Sequence, residues 1–229
     1  MEGDFLETLL LTGKLAISTT AILFVVALPI AYTLAFKRFW GRAIVEALIS
    51  MPMVLPPTVL GFYLLMAYSP TSLFGGTWQR IFGSGLAFTF EGILLASVLF
   101  GLPFMVQPLQ NGFMAIPPTL SMAAQTLGKS KINIFFRILL PNMIPSIVSA
   151  VALTFARTIG EFGVIIMVGG NMPSQTRVAS IAIYDEVQAL QYDTANRYSL
   201  ILFVVSLTML TIIQTFNRKD RRRNEYAQN

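Results

Sequence analysis

Five stretches of this chain, 15–36, 43–68, 88–109, 144–168 and 199–216, run for 18 to 26 residues with at most two ionisable side chains apiece. Crossing the hydrocarbon core of a bilayer takes about 17 to 25 residues of α-helix. No water is available there, so every backbone donor and acceptor has to be paired within its own segment, and runs of this length read as helices. Strands of a membrane barrel would be about half as long and would alternate in polarity. The expected fold is therefore all-α and integral to the membrane, with about five transmembrane helices in a single domain over 1–229. A soluble alternative would need polar residues recurring along each helix, and only 12% of the chain is charged against 55% hydrophobic.

Lys and Arg set the orientation, because cationic loops stay on the cytoplasmic side during insertion. Lys37, Arg38 and Arg42 lie in the first connection, Lys129, Lys131 and Arg137 in the third, and Arg218, Lys219, Arg221, Arg222 and Arg223 in the tail. Placing these eleven inside leaves Lys14, Arg80, Arg177 and Arg197 outside and Arg157 within the fourth run. The amino terminus is thus expected outside and the carboxyl terminus in the cytoplasm. The net charge of +5 is then an orientation signal, with the basic tail also able to meet anionic membrane lipid, and a nucleic-acid partner is not expected. The acidic start Met1-Glu2-Gly3-Asp4 is unlike the basic start of a secretory signal, so the first run should be retained as a spanning helix.

The chain has no Cys and no His, which removes disulfides, thiolate nucleophiles, imidazole bases and the usual zinc ligands. Neither a cofactor nor an enzymatic activity is expected. An intramembrane enzyme would need a nucleophile and base that are absent here. The alternative class is a stand-alone secondary transporter or channel, but a proton-coupled carrier would be expected to carry unpaired intramembrane carboxylates or histidines, and neither is read in this chain.

Two connections exceed what a helix hairpin requires, the external one over 169–198 and the cytoplasmic one over 110–143, and loops of that length usually carry a function. Within the second, Leu120, Ala123, Ala124 and Leu127 fall at i, i+3, i+4 and i+7, a narrow face of small and apolar side chains away from Gln125 and Lys129. Such a helix suits docking into a partner's groove, or lying on the membrane surface. Gly128 would let the chain turn at its end. The triplet Gly128-Lys129-Ser130 imitates the end of a phosphate-binding loop, but Ala123 stands where that pattern needs Gly. ATP, if used, is hydrolysed by another chain.

This loop resembles that of ABC-importer permeases, which reads Glu-Ala-Ala, three residues, Gly, nine residues, Ile-x-Leu-Pro. Ala123, Ala124, Gly128, Ile138, Leu140 and Pro141 match in type and spacing, and Met122 stands at the Glu position. The resemblance implies an ABC-importer permease fold with a cytoplasmic coupling helix, whose ATPase contacts fall on Met122, Ala123, Ala124, Leu127, Gly128, Ile138, Leu140 and Pro141. Three further stretches, Leu55-Pro56-Pro57-Thr58-Val59-Leu60-Gly61, Phe155-Ala156-Arg157-Thr158-Ile159-Gly160-Glu161-Phe162-Gly163 and Pro173-Ser174-Gln175-Thr176-Arg177, resemble the molybdate, tungstate and sulfate members. They imply transport of a tetrahedral oxyanion, molybdate first, across a bacterial plasma (inner) membrane. The implied partners are two copies of an ATP-binding subunit, a second permease copy, and a periplasmic or lipid-anchored oxyanion-binding protein.

Physical reasoning picks out the same stretches. Pro52, Pro56 and Pro57 remove backbone donors within one apolar run and call for a break or kink, either a gate beside a cavity or a static packing feature. Arg157 and Glu161 are ionisable residues deep in the fourth run, four apart on one helical face, and should neutralise one another. They read either as a structural pair or as a weak positive site on an anion's route, since conduction requires sites that release what they bind. The external stretch Asn171 to Gln191 reads as a solvated cap or as a surface for the binding protein.

Overall fold

The first apolar run belongs to a helix of 35 residues, α1 (Glu2–Phe36). The computed structural model describes the backbone of residues 2–226 and the side chains of 5–211 and 215. α1 begins well before the expected start at 15 because Phe5, Thr8, Thr12 and Leu15, at helical spacing, are all buried. Glu7 and Lys14 interrupt the apolar run without interrupting the helix. The Phe5 ring stacks on Tyr198 at 3.7 Å, and Thr12 Oγ1 accepts a hydrogen bond from the Ala179 N–H at 2.8 Å.

The second run is two helices, α2 (Arg42–Val54) and α3 (Pro57–Tyr68), bent by 113°. The break lies at Leu55 and Pro56, both extended, with ψ of 137° and 134°. Each precedes a proline, and the ring of the following residue disfavours the helical region for the one before it. Pro57 then opens α3, where its missing N–H costs nothing. Pro52 lies buried inside α2 and does not break it.

α4 (Leu73–Phe82) leads to α5 (Phe90–Ala115), the central helix. One side of α5 holds Met105, Leu109 and Phe113 against Leu23, Ala27, Ala31 and Leu34 of α1. The other holds Ile93, Ala96 and Phe100 against Val164, Ile165 and Val168. A short helix α6 (Pro118–Thr126) follows, then α7 (Lys131–Ile134), a wide π-helical turn over Phe135–Leu139, and α8 (Leu140–Asn142).

The expected single helix over 144–168 is likewise two, α9 (Ile144–Ile159) and α10 (Gly163–Gly169), separated by Gly160, Glu161 and Phe162. α11 (Ala179–Gln188) and α12 (Tyr192–Tyr226) complete the described residues. Among the described residues, three helices are long and apolar enough to cross a membrane, and up to five spans result if α2 with α3, and the stretch Lys131–Asn142 with α9, bent by 72°, each count as one. In the apolar part of α12 only 11% of the residues are buried within the chain. Leu200, Phe203, Val204 and Leu207 are exposed there, as suits a helix solvated by lipid. The side chains of Arg218, Lys219, Arg221, Arg222 and Arg223 lie outside the described residues.

Candidate functional site

The proline break in one helix and the Glu161 break in another are brought together by two glycines. A Cβ on Gly163 would sit 2.7 Å from the Pro57 Cβ, and a Cβ on Gly61 would sit 2.7 Å from the Met167 Cβ. Both distances are below any tolerable carbon contact, so α3 and α10 touch at a spacing that only glycine permits. The stretches 55–61 and 155–163, read separately in the sequence, thus form one structural unit.

Glu161 sits at the junction between α9 and α10. Its side chain is 2% exposed, and its Oε1 accepts from the Val164 N–H at 3.1 Å, satisfying a donor that the new helix leaves open. Its Oε2 lies 3.2 Å from Arg157 Nη1, an ion pair lacking hydrogen-bond alignment. The Glu161 carbonyl accepts from Ser180 Oγ at 2.7 Å, which fixes the junction to α11. The buried carboxyl is thus met by one backbone donor and one guanidinium.

Arg157 has a different environment, with its side chain 34% exposed. Its guanidinium carbon lies 4.5 Å from the centre of the Phe100 ring and 5.7 Å from that of Phe104. Aromatic faces attract a guanidinium electrostatically and hold it flat. One edge of the group is thus engaged by Glu161 while another part stays open. Phe100 and Phe104 escaped the sequence reading, because two phenylalanines four apart in an apolar helix look like ordinary core.

The third stretch closes the turn after α10. Thr176, fully buried, donates from Oγ1 to the Gly169 carbonyl at 2.6 Å and accepts from the Met172 N–H at 3.2 Å. Arg177 Nη2 pairs with Asp185 Oδ2 at 3.0 Å, and Asn171 donates to the same oxygen at 2.7 Å. These contacts make 169–185 an ordered cap beside α1.

The segment 118–141 stands at the other end of α5. Gly128, with φ of +71°, ends α6: its N–H bonds to the Gln125 carbonyl, and the Lys129 N–H reaches back to that of Ala124. This is the paired closure that a left-handed residue allows at a helix end. Met122 is 64% and Leu127 77% exposed, and Ala123 is exposed as well. Ala124 departs from the face assigned to it in the sequence: at 5% exposure it packs into the chain's own core with Ile134, Leu139 and Met143. Ile138 and Leu140 are half-buried and Pro141 is exposed. Pro141 lacks the N–H that would bond to the Arg137 carbonyl and would crowd it, and the turn just before it widens: the Leu140 N–H bonds to the Phe135 carbonyl five residues back. Asn142 Nδ2 donates to the Ile138 carbonyl at 2.7 Å.

The family of binding-protein-dependent transport system inner membrane components matches residues 27–221. The chain is 44% identical over 191 residues to the molybdenum transport system permease protein of Azotobacter vinelandii, covering 83% of this chain and 84% of that one. It is 33% identical over 199 residues to the sulfate transport system permease protein of Escherichia coli, covering 87% and 72%. Among solved structures, a bacterial ABC transporter involved in the import of the acidic polysaccharide alginate shares the fold, with a TM-score of 0.78 at 20% identity, covering 94% of this chain and 79% of that one. An inward-facing methionine ABC transporter matches with a TM-score of 0.68 at 19% identity, over 96% and 95%.

Proposed function

The chain belongs to the binding-protein-dependent transport system inner membrane components and is the permease subunit of an ABC importer, and we propose that it carries a tetrahedral oxyanion, molybdate first. The observation that carries this reading is the 44% identity to a molybdenum permease over most of both chains, together with the meeting of 55–61 and 155–163 at one junction. Sulfate is the second reading, favoured by the 33% identity to a sulfate permease. The chain itself hydrolyses nothing. ATP is hydrolysed by a separate subunit.

In this proposal the chain pairs with a second copy, two ATP-binding subunits and an external oxyanion-binding protein in the bacterial plasma membrane, its amino terminus outside. The cation distribution described above supports that orientation. The exposed apolar surface of α6 supports docking of the ATPase on 118–141. Arg157 acts on the anion's route. A guanidinium offers planar donors that suit an oxyanion, while the Glu161 carboxylate 3.2 Å away and the rings of Phe100 and Phe104 compete for it and keep the site weak. A site of that kind passes an anion along instead of retaining it.

The test is uptake of labelled molybdate by cells lacking their own molybdate permease and supplied with this chain, its ATPase and its binding protein. Uptake that depends on all three and is displaced by tungstate supports the proposal. Uptake of sulfate with molybdate excluded establishes the second reading, and transport of neither overturns both.

A further inference from the structure

Pro118, Ser121, Met122 and Gln125 recur along one face of α6, and that face lines a cavity of about 420 Å³ between α6, the end of α1 and α7. Lys37 enters its wall from one side and Lys131 from the other, with Tyr32 alongside. Both lysines are exposed, and among the described residues neither forms an ion pair. The chain offers them little compensation. No Asp or Glu occurs between 110 and 143, and the one acid between 37 and 54, Glu46, is already held by Arg42 and Gln110. The ABC-permease pattern has Glu at the position of Met122, the place where a carboxylate would face this cavity. With Met122 there, two cations line one concavity that contains no acid.

The lining is mixed in a way that narrows the ligand. Ammonium, phenol, hydroxyl and amide groups suit a phosphate, whereas Phe36, Met122, Ile134 and Leu139 suit the hydrocarbon next to it. Just beyond Lys37 come exposed Phe39 and Trp40, the latter 97% exposed, and aromatic side chains of this kind collect at the level of lipid headgroups. Cations just beyond the end of a membrane-spanning helix, where Lys37 stands, attract anionic headgroups. We propose that this cavity binds the headgroup phosphate of an anionic phospholipid, with Lys37 and Lys131 as its cationic ligands.

The experiment uses the full chain in detergent micelles doped with phosphatidylglycerol or phosphatidylcholine, reading retained lipid by native mass spectrometry and protection by thermal unfolding. Phosphatidylglycerol should be retained in preference. A cation near an anionic surface contributes about 1 kcal/mol, so Lys37→Gln or Lys131→Gln should weaken retention about five-fold and the double change about thirty-fold. Met122→Glu, at an exposed position that should not disturb folding, should weaken it too, whereas Arg38→Gln, outside the cavity wall, should leave it close to that of the unaltered chain. Equal retention of both lipids, or full retention by the double variant and Met122→Glu, would overturn the proposal. So would protection by inorganic phosphate alone equal to that by lipid, which would assign the site to a free anion. Unchanged lipid retention with loss of copurifying ATPase in the lysine variants would instead assign the lysines to an acidic segment of that subunit.

Discussion

Replacing Arg157 by Met removes the guanidinium 3.2 Å from a carboxylate that is 2% exposed. Glu161 then keeps only the Val164 N–H as a charge-stabilising contact, and stranding it costs about 3 kcal/mol, the lower end for a buried pair because Arg157 is one-third exposed. The lost contacts to Phe100 and Phe104 add about 0.5 to 1 kcal/mol, the lower end of the range because Arg157 is one-third exposed. Glu161→Gln in the same chain removes the stranded charge and keeps an oxygen for the Val164 N–H, so most of the stability should return. Stability and transport then separate. If Arg157 meets the oxyanion, the double variant unfolds near the temperature of the unaltered chain yet transports at least ten-fold more slowly, as loss of about 1.4 kcal/mol of favourable interaction requires. Arg157→Lys, which keeps the charge and loses the planar donors, should fall between. Thermal unfolding in detergent and initial uptake rates in cells provide the two readouts. Normal uptake by the stable double variant would refute the role on the route and leave the pair purely structural.

Three further outcomes are expected. A reporter active only outside the cytoplasm should work when fused within 169–198 and fail after Arg223, and the reverse pattern would invert the topology. Ala123→Trp, on the exposed side of α6, should leave the chain folded but reduce ATPase retention by an amount matching about 1 to 3 kcal/mol of overpacking, while Ala124→Trp should destabilise the chain itself. Equal ATPase retention in Ala123→Trp and the unaltered chain would remove α6 from the docking surface. Gly163→Leu, which drives a side chain into Pro57, should lower thermal stability by at least about 1 to 3 kcal/mol, against little change for the exposed Gly83→Asn, where φ is already +73° and nothing lies within 4 Å.

How much of this was legible in the sequence depended on whether the controlling interaction was local. The break at Pro56 and Pro57 follows from ring sterics between neighbours, and the turn at Gly128 from a single residue's backbone freedom, so both could be read directly. The pairing of Arg157 with Glu161 was legible from their spacing of four, but the single helical face expected to carry both is not there, since Glu161 lies past the end of α9. Ala124 could not be assigned in the same way. Its position on α6 was legible, but which face of a small apolar helix turns inward depends on Ile134, Leu139 and Met143, contributed by later segments. Hydropathy is equally silent about α10: Gly160 to Phe162 contain no proline, and the apolar run continues across them. Its separation from α9 rests on the Glu161 side chain capping the new helix and on glycine contacts to α3. Lipid and protein interior also share the same apolar preference, which is why Phe100 and Phe104 carried no mark of the cation they face.

The glycine-mediated contact between α3 and α10 has a consequence for biogenesis. α3 has 12 residues, about 18 Å of helix, and α10 has 7, about 10 Å, so neither crosses a bilayer by itself. Their partnership joins positions about 100 residues apart in the chain, and at ordinary synthesis rates of about 5 to 20 residues per second the second half appears about 5 to 20 s after the first. Throughout that interval the Gly61 face has no surface to close against, and a nascent chain stalled after Ile159 holds an unfinished membrane segment. Quality-control proteases that sample inserting chains should therefore find their opening in α3, and should lose it once Val168 has been inserted.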